Sequence, residues 1–160
     1  MMRTAFSVAA IVLLASQTGG VHGQAQTTSY STVLSGKIQS PICSSDNFAA
    51  GDASGDLHGS FYLAFDCNAG TIVGGTWLIL VESDPPGATP EVLGTIRGQV
   101  LNGSFEVDRT TNGITVHDVE LSVTEGTGPY AGVAEGTGSL AATSDPGGTP
   151  QFVGTLGLTF

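Results

Sequence analysis

The fold of this chain is decided by the stretch Asp56-Leu-His-Gly-Ser-Phe-Tyr-Leu-Ala-Phe-Asp-Cys67. Apolar side chains occupy Leu57 and then every second position from Phe61 to Cys67, and the positions between them are mostly polar. Alternation with a period of two places one set of side chains on each face of a β-strand. The stretch therefore predicts an antiparallel strand with one face in the core and one face in water.

The same alternation, punctuated by Gly, Asn-Gly and Asp-Pro, recurs from Tyr30 onward, and no segment has a helical period. We predict strands over residues 30–38, 56–66, 71–82, 91–101, 104–110, 114–124, 136–143 and 151–160. Asn102-Gly103 and Asn112-Gly113 are assigned to type I′ turns, so that the fourth to sixth predicted strands form a meander. Closure of the sheet would give the last strand a partner on both sides. The predicted fold is all-β: a single eight-stranded antiparallel β-barrel with meander hairpins.

Two predicted strands depart from simple alternation. In strand 114–124 the apolar set changes phase at His117-Asp118, which predicts a β-bulge there. In strand 71–82 the run Trp77-Leu-Ile-Leu-Val81 is apolar on both faces. That strand is either covered on the outside by a loop or used as a subunit contact.

The N-terminal residues have the organisation of a secretory signal peptide. Arg3 precedes an apolar run over residues 5–15, and a small, polar stretch follows over 16–23. We predict a signal peptide over residues 1–23, a barrel domain over 24–160, and a secreted protein, extracellular or periplasmic. Cys43 and Cys67 both lie in the exported part, where two thiols most often pair, so we predict a disulfide; two buried free thiols are the alternative.

Charge and motifs exclude several classes of function. Four Lys and Arg residues against 14 Asp and Glu give a net charge of -10, which argues against nucleic acids and anionic membranes as partners. The chain has no phosphate-binding loop, no His-Glu-x-x-His, no Cys-x-x-Cys and no Gly-x-Ser-x-Gly. Oxygen ligands alternate over Asp52, Ser54 and Asp56, with Asp46 nearby, but the bidentate Glu of a calcium loop is missing. We predict neither a metal site nor a cofactor.

Two groups of polar residues are candidates for chemistry. His58 shares a strand face with Asp56 and Tyr62, while His117, Asp118 and Glu120 cluster at the predicted bulge. If both groups meet at one mouth of the barrel, a histidine–carboxylate pair can act as general acid and base; solvated positions on the outer face are the alternative.

A second set of residues is predicted to bind a ligand. Arg97 and Gln99 share a strand face and are candidates to line the lumen and hold a carboxylate or carbonyl of a ligand. A surface arginine paired with one of the many acids is the favoured interpretation of Arg97. Tyr62, Trp77 and Tyr130 complete the predicted ligand-binding set.

The segment Glu125-Gly-Thr-Gly-Pro-Tyr-Ala-Gly-Val-Ala-Glu-Gly-Thr-Gly138 resembles the Gly-Thr-Gly-x-aromatic-x-Gly-Ala-x-Gly segment of the allene oxide cyclase and dirigent barrel superfamily. The matching positions are Gly126, Thr127, Gly128, Tyr130, Gly132, Ala134 and Gly136. The resemblance implies an eight-stranded barrel, often trimeric, with an apolar lumen open at one end. It also implies that any enzyme activity needs no cofactor and works by holding a flexible hydrophobic substrate in one conformation.

Three functions follow from these observations. We expect first a secreted barrel that binds a small hydrophobic ligand in its lumen, and whose activity, if it is an enzyme, is that of a cofactor-independent cyclase or isomerase. A non-catalytic structural or partner-binding module with a filled barrel is the alternative, and a small outer-membrane barrel is the third reading, because the alternating last strand closes on Phe160. An open lumen separates the first function from the second, and we expect the strand glycines to leave room for one. Those glycines are Gly74, Gly94, Gly98, Gly154 and Gly157.

Overall fold

The computed structural model describes residues 27–38, 48–83, 89–111, 113–145 and 151–160. Within these ranges the chain forms eight strands and a short 3₁₀ turn, Gly128–Tyr130. The strands are β1 Ser29–Ile38, β2 Phe48–Gly55, β3 Gly59–Asn68, β4 Thr71–Glu82, β5 Val92–Val107, β6 Ile114–Gly126, β7 Gly136–Asp145 and β8 Gln151–Thr159.

The strands form one closed antiparallel barrel with meander topology. Each strand pairs with its neighbours in sequence, and β8 closes the barrel by pairing with β1. This confirms the predicted fold class, including the partner on each side of the last strand. The β2–β3 and β6–β7 connections lie at one end, which we call the Tyr130 end. The β3–β4 connection and Asp108, which follows β5, lie at the other, the Asp108 end.

Eight strands were predicted and the described residues form eight, but the two sets differ. One observed strand was not predicted, and two predicted strands are parts of one. Strand β2 was not predicted, because its residues are mostly Gly, Ala and other small types without clear alternation. They suit a close approach of two backbones: a Cβ atom on Gly36 of β1 would overlap the carbonyl of Ala50 on β2. The predicted strands 91–101 and 104–110 are one strand of 16 residues, β5.

The turn predicted at Asn102-Gly103 is wrong, because these residues belong to a bulge inside β5. Leu101 and Asn102 are both exposed, whereas the flanking Val100 and Gly103 are buried, and the pairing with β6 shifts register here. Gly103 lies against Val119 of β6, so closely that a Cβ atom would stand 2.7 Å from a methyl carbon of that valine. Asn-Gly thus serves a bend within a strand rather than a reversal between two strands.

The bulge predicted at His117-Asp118 is confirmed. Val116 pairs with Ala142 of β7 and Val119 pairs with Leu140, so β6 carries one extra residue between them. Asp118 takes the left-handed conformation, with φ of 54°. Together with the bulge in β5, this places irregularities side by side in two adjacent strands, where bulges increase the bend and twist that closure of a barrel needs.

The lumen is filled by side chains from the inward face of every strand. The rings of Phe61 and Phe152 meet at its centre with centroids 5.7 Å apart. The buried indole of Trp77 donates a hydrogen bond to the carbonyl of Ser122, at 3.1 Å. A gap among inward side chains such as Leu34, Leu121 and Leu140 has a volume of about 10 Å³, which is the space of one water molecule at most.

The strand glycines do not open the lumen, contrary to expectation. A Cβ atom on Gly98 would lie 2.8 Å from the indole nitrogen of Trp77, and one on Gly154 would lie 2.8 Å from the Cβ of Ala142. At these two positions neighbouring groups thus occupy the room that the missing side chain leaves. In the run Trp77-Leu-Ile-Leu-Val81 of β4, which is apolar on both faces, the side chains of Leu78 and Leu80 point outward and are half-buried.

Candidate binding site

A groove of about 490 Å³ crosses the outside of the barrel over β3, β4, β5 and β6. It lies between two rows of outward-facing residues, which the register of the four strands places side by side. The first row is Tyr62, Leu78, Arg97 and Glu125; the second is Ala64, Thr76, Gln99 and Ser122. Because the backbones of Trp77 and Gly98 run between these rows, the floor of the groove is the sheet itself.

The groove combines an apolar wall with a charged end. Leu78 and the exposed ring of Tyr62 supply the apolar part. At the other end Arg97 forms an ion pair with Glu125, and the two side chains remain 59% and 48% exposed. An exposed pair contributes little to stability, so the guanidinium can exchange its partner for a carboxylate or carbonyl of a ligand at small cost.

An irregularity in β6 shapes the charged end. Arg97 pairs with Glu125, but the next residue, Gly98, pairs with Val123, so Thr124 is an extra residue on β6. Its hydroxyl donates a hydrogen bond to the Arg97 carbonyl, at 3.3 Å. Because of the bulge, the consecutive residues Thr124 and Glu125 both face the groove. In a regularly paired strand they would point to opposite faces of the sheet.

Four of the five predicted ligand-binding residues meet at this groove: Tyr62, Trp77, Arg97 and Gln99. The hypothesis that Arg97 and Gln99 line the lumen is wrong, because Ile96, Gly98 and Val100 take the inward positions of β5. Arg97 is instead a surface arginine paired with an acid, Glu125, as the favoured interpretation had it. The ring of Trp77 belongs to the core, and only its backbone region borders the groove. The fifth residue, Tyr130, lies at the Tyr130 end of the barrel.

Two members of the first row of the groove, Leu78 and Glu125, were missed from the sequence. Leu78 had a signal, since it belongs to the run that is apolar on both faces, and such a run must present one apolar face outward. No local pattern identified Glu125, because its pairing with Arg97 depends on the register between β5 and β6. These two strands are joined through residues 108–113, far from both side chains in the chain.

The predicted catalytic residues do not come together. His58 is exposed at the Tyr130 end, in the connection before β3, whereas His117 is the fourth residue of β6, toward the Asp108 end. Strands β4 and β5 separate β3 from β6. The histidine–carboxylate pair expected at one mouth of the barrel therefore does not form between these two groups.

The cluster around His117 also lacks the geometry of a catalytic relay. Its Nδ1 atom lies 2.9 Å from an Asp118 carboxylate oxygen and 3.0 Å from the Ser104 hydroxyl, while Nε2 lies 3.8 Å from Glu106. A serine–histidine–acid relay needs the hydroxyl on one ring nitrogen and the acid on the other. Here both close contacts use Nδ1, and Glu120 is engaged elsewhere, accepting a hydrogen bond from Asn102 at 2.7 Å.

The remaining sequence candidates have these positions. Asp56, from the calcium-like stretch, accepts the backbone N–H of Ser31 at 2.7 Å. In the part of the chain that the structure describes, no group of three His, Cys, Asp or Glu residues could hold a metal ion. Asp46, Cys43 and the signal peptide over 1–23 lie outside the described residues, so the Cys43–Cys67 disulfide stays a prediction. No helix of the described ranges is long and apolar enough to cross a membrane.

Comparison with protein-family models, with curated proteins and with solved structures finds no match for this chain. The resemblance over residues 125–138 therefore rests on those residues alone. In the fold the middle of this segment, residues 127–135, connects β6 to β7 and is held against β5. The N–H of Thr127 donates to the carbonyl of Thr95, and the Thr127 hydroxyl accepts the N–H of Thr95, both at 2.9 Å. Gly128 has a positive φ of 61°, and a Cβ atom there would overlap the carbonyl of Leu93. Gly128 thus allows the close attachment of this loop to β5.

Proposed function

We propose that this chain is a secreted, non-catalytic partner-binding module with a filled barrel, and that it binds through the outer groove. The observation that carries the proposal is the contrast between the two spaces. The lumen has a gap of about 10 Å³, whereas the outer groove measures about 490 Å³. Ligand sites in proteins usually need several hundred Å³, so the groove is large enough and the lumen is not.

The lining of the groove indicates what the partner presents. Leu78 and Tyr62 offer apolar surface, which favours an apolar side chain of the partner. Arg97 and Gln99 offer hydrogen-bond donors beside it, which favour a carboxylate or carbonyl. The partner is therefore a protein segment that carries an apolar side chain next to an accessible carbonyl group. With a net charge of -10, the chain repels strongly acidic partners.

The arrangement of polar and apolar residues supports a barrel surrounded by water. On β7, β8 and β1 the outward positions pair in register and carry mainly hydroxyl groups, as in the row Thr137, Thr159 and Ser29. The inward positions of the same strands are mainly apolar. A membrane-spanning barrel has the reverse arrangement, with an apolar outer band, so this distribution favours the partner-binding module over an outer-membrane barrel.

Titration of ¹⁵N-labelled protein, residues 24–160, with N-acetylleucine tests the proposal, because this probe carries an isobutyl group beside a carboxylate. We expect amide shifts at Leu78, Arg97 and Gln99, and their loss in Arg97→Gln. The matched control is Lys37→Gln, which removes an exposed basic residue of β1, outside the groove. Shifts at inward residues such as Leu121 and Leu140 would instead support a ligand in the lumen. No shift at the groove up to the solubility limit of the probe would overturn the assignment of the groove.

A further inference from the structure

A second cleft, of about 620 Å³, lies at the Tyr130 end of the barrel and shares no residue with the outer groove. The loop over residues 129–135 forms one side. The rings of Tyr30 and Phe160 form the other, with Thr28 at the rim. Paired backbone hydrogen bonds between Thr28 and Phe160, at 2.8 and 3.0 Å, hold that side in place.

Three aromatic rings form a corner in this cleft. Tyr30 and Phe160 are stacked, with centroids 5.0 Å apart and an angle of 22° between the ring planes. Tyr130 stands nearly perpendicular to both, at 6.2 Å from Tyr30 and 6.5 Å from Phe160. All three rings are half-buried, so each is fixed by packing and still presents part of its surface to the cleft.

The charge in the cleft is of one sign. Glu135 is the acidic residue of the lining, and no Lys, Arg or His is among the lining residues. Burial and the neighbouring Tyr30 raise the pKa of Tyr130 above its ordinary value, so its ring stays a neutral phenol at physiological pH. The whole chain adds a net charge of -10, which makes the surrounding field negative.

We infer that this cleft binds an organic cation of the alkylammonium class, either as a free molecule or as a methylated amine on a partner. The faces of aromatic rings attract cations, and compact alkylammonium groups are the ligands that sites built from several rings recognise. Glu135 adds a counter-charge at the edge. An anion would be repelled by the same residue, and a neutral ligand would gain only the apolar contact.

The test compares two ligands of the same shape, choline and 3,3-dimethylbutan-1-ol, in which carbon replaces the charged nitrogen. Affinities are measured by NMR titration of the folded protein. A cation–π contribution of ordinary size makes choline bind about fivefold more tightly than the neutral alcohol. We expect this preference to fall as salt is added, because the attraction of Glu135 and of the acidic surface is screened.

Three variants locate the site. Tyr130→Leu keeps apolar volume but removes the ring, and Glu135→Gln removes the charge; each should bring the ratio of the two affinities toward one. Glu106→Gln removes an exposed carboxylate of β5 toward the Asp108 end, outside both the cleft and the outer groove, and should leave the ratio unchanged. Because Glu135 is exposed, its variant folds even if Tyr130→Leu does not.

Three outcomes would overturn the inference: equal affinities for the two ligands in the unaltered protein, no binding of either ligand, or a preference that survives in both Tyr130→Leu and Glu135→Gln. If a methylated-lysine peptide competes with choline, the partner-borne amine is the source; if it does not, the free cation is.

Discussion

Replacement of Phe152 by alanine removes a ring from the centre of the filled barrel. Phe152 is 1% exposed, and its ring packs against Phe61. The lost burial costs about 2 kcal/mol. A residual cavity of roughly 100 Å³ costs about another 2 kcal/mol, at ~24 cal/mol per Å³. The surrounding side chains belong to strands held by backbone hydrogen bonds on both sides, so the barrel collapses little and we expect a total near 4 kcal/mol.

The free energy of unfolding is measured by urea titration with the fluorescence of Trp77, which is the sole tryptophan of the chain and is buried in the core. The control is Val153→Ala on the same strand, where the side chain is 49% exposed and the cost should stay below about 0.5 kcal/mol. We also expect benzene to stabilise Phe152→Ala but not the unaltered protein. A cost under about 1 kcal/mol for Phe152→Ala, or benzene binding to the unaltered protein, would refute the filled lumen.

Three further predictions concern hydrogen bonds and pH. Thr32→Val removes the hydroxyl that accepts the buried N–H of Leu57 at 3.3 Å. We expect the free energy of unfolding in urea to fall by about 1–3 kcal/mol and to be largely restored in Thr32→Ser. An unchanged urea midpoint would contradict this. The pKa of Tyr130 is raised, so its contribution to stability is complete below about pH 10 and falls as pH rises through the folded-state pKa. We expect the free energy of unfolding of Tyr130→Phe to decline less with rising pH than that of the unaltered protein. Equal declines in the two proteins would count against this. Hydrogen bonds from Thr110 and Thr111 lower the pKa of Asp108, so its contribution to stability is present above about pH 4 and is lost as pH falls through the folded-state pKa. We expect the stability of Asp108→Asn to decline less on acid titration than that of the unaltered protein. An identical acid midpoint would argue against the effect.

Prediction from the sequence succeeded where each strand carries its own pattern. The alternation from Phe61 to Cys67 is the inward and outward pattern of β3, and the phase change at His117-Asp118 is a bulge. It failed where local chemistry allows two outcomes. Asn102-Gly103 suits a tight turn and a bulge equally well, and only the pairing of β5 with both neighbours decides between them. The small residues of β2 have no signal of their own and form a strand because β1 and β3 bind it from both sides.

The candidate site was predicted in its residue types but not in its place. Arg97 and Gln99 were considered as candidates for the lumen, although the alternation with Ile96 and Val100 already marks them as outward. Placing these two side chains in the lumen required the lumen to be open, and no local sequence pattern predicts whether it is. Likewise His58 and His117 are plausible partners in sequence, but two strands and the length of the barrel separate them.

The sequence by itself determined the strand periods and the inward apolar set of most strands, because alternation is a property of each segment alone. Only the tertiary structure decided that the lumen is filled, that Asn102-Gly103 bends a strand, and that Tyr62, Leu78, Arg97 and Glu125 form one row. Those features depend on the register between strands and on the summed volume of side chains from the whole barrel. Both are set by contacts between residues far apart in the chain, which no local pattern encodes.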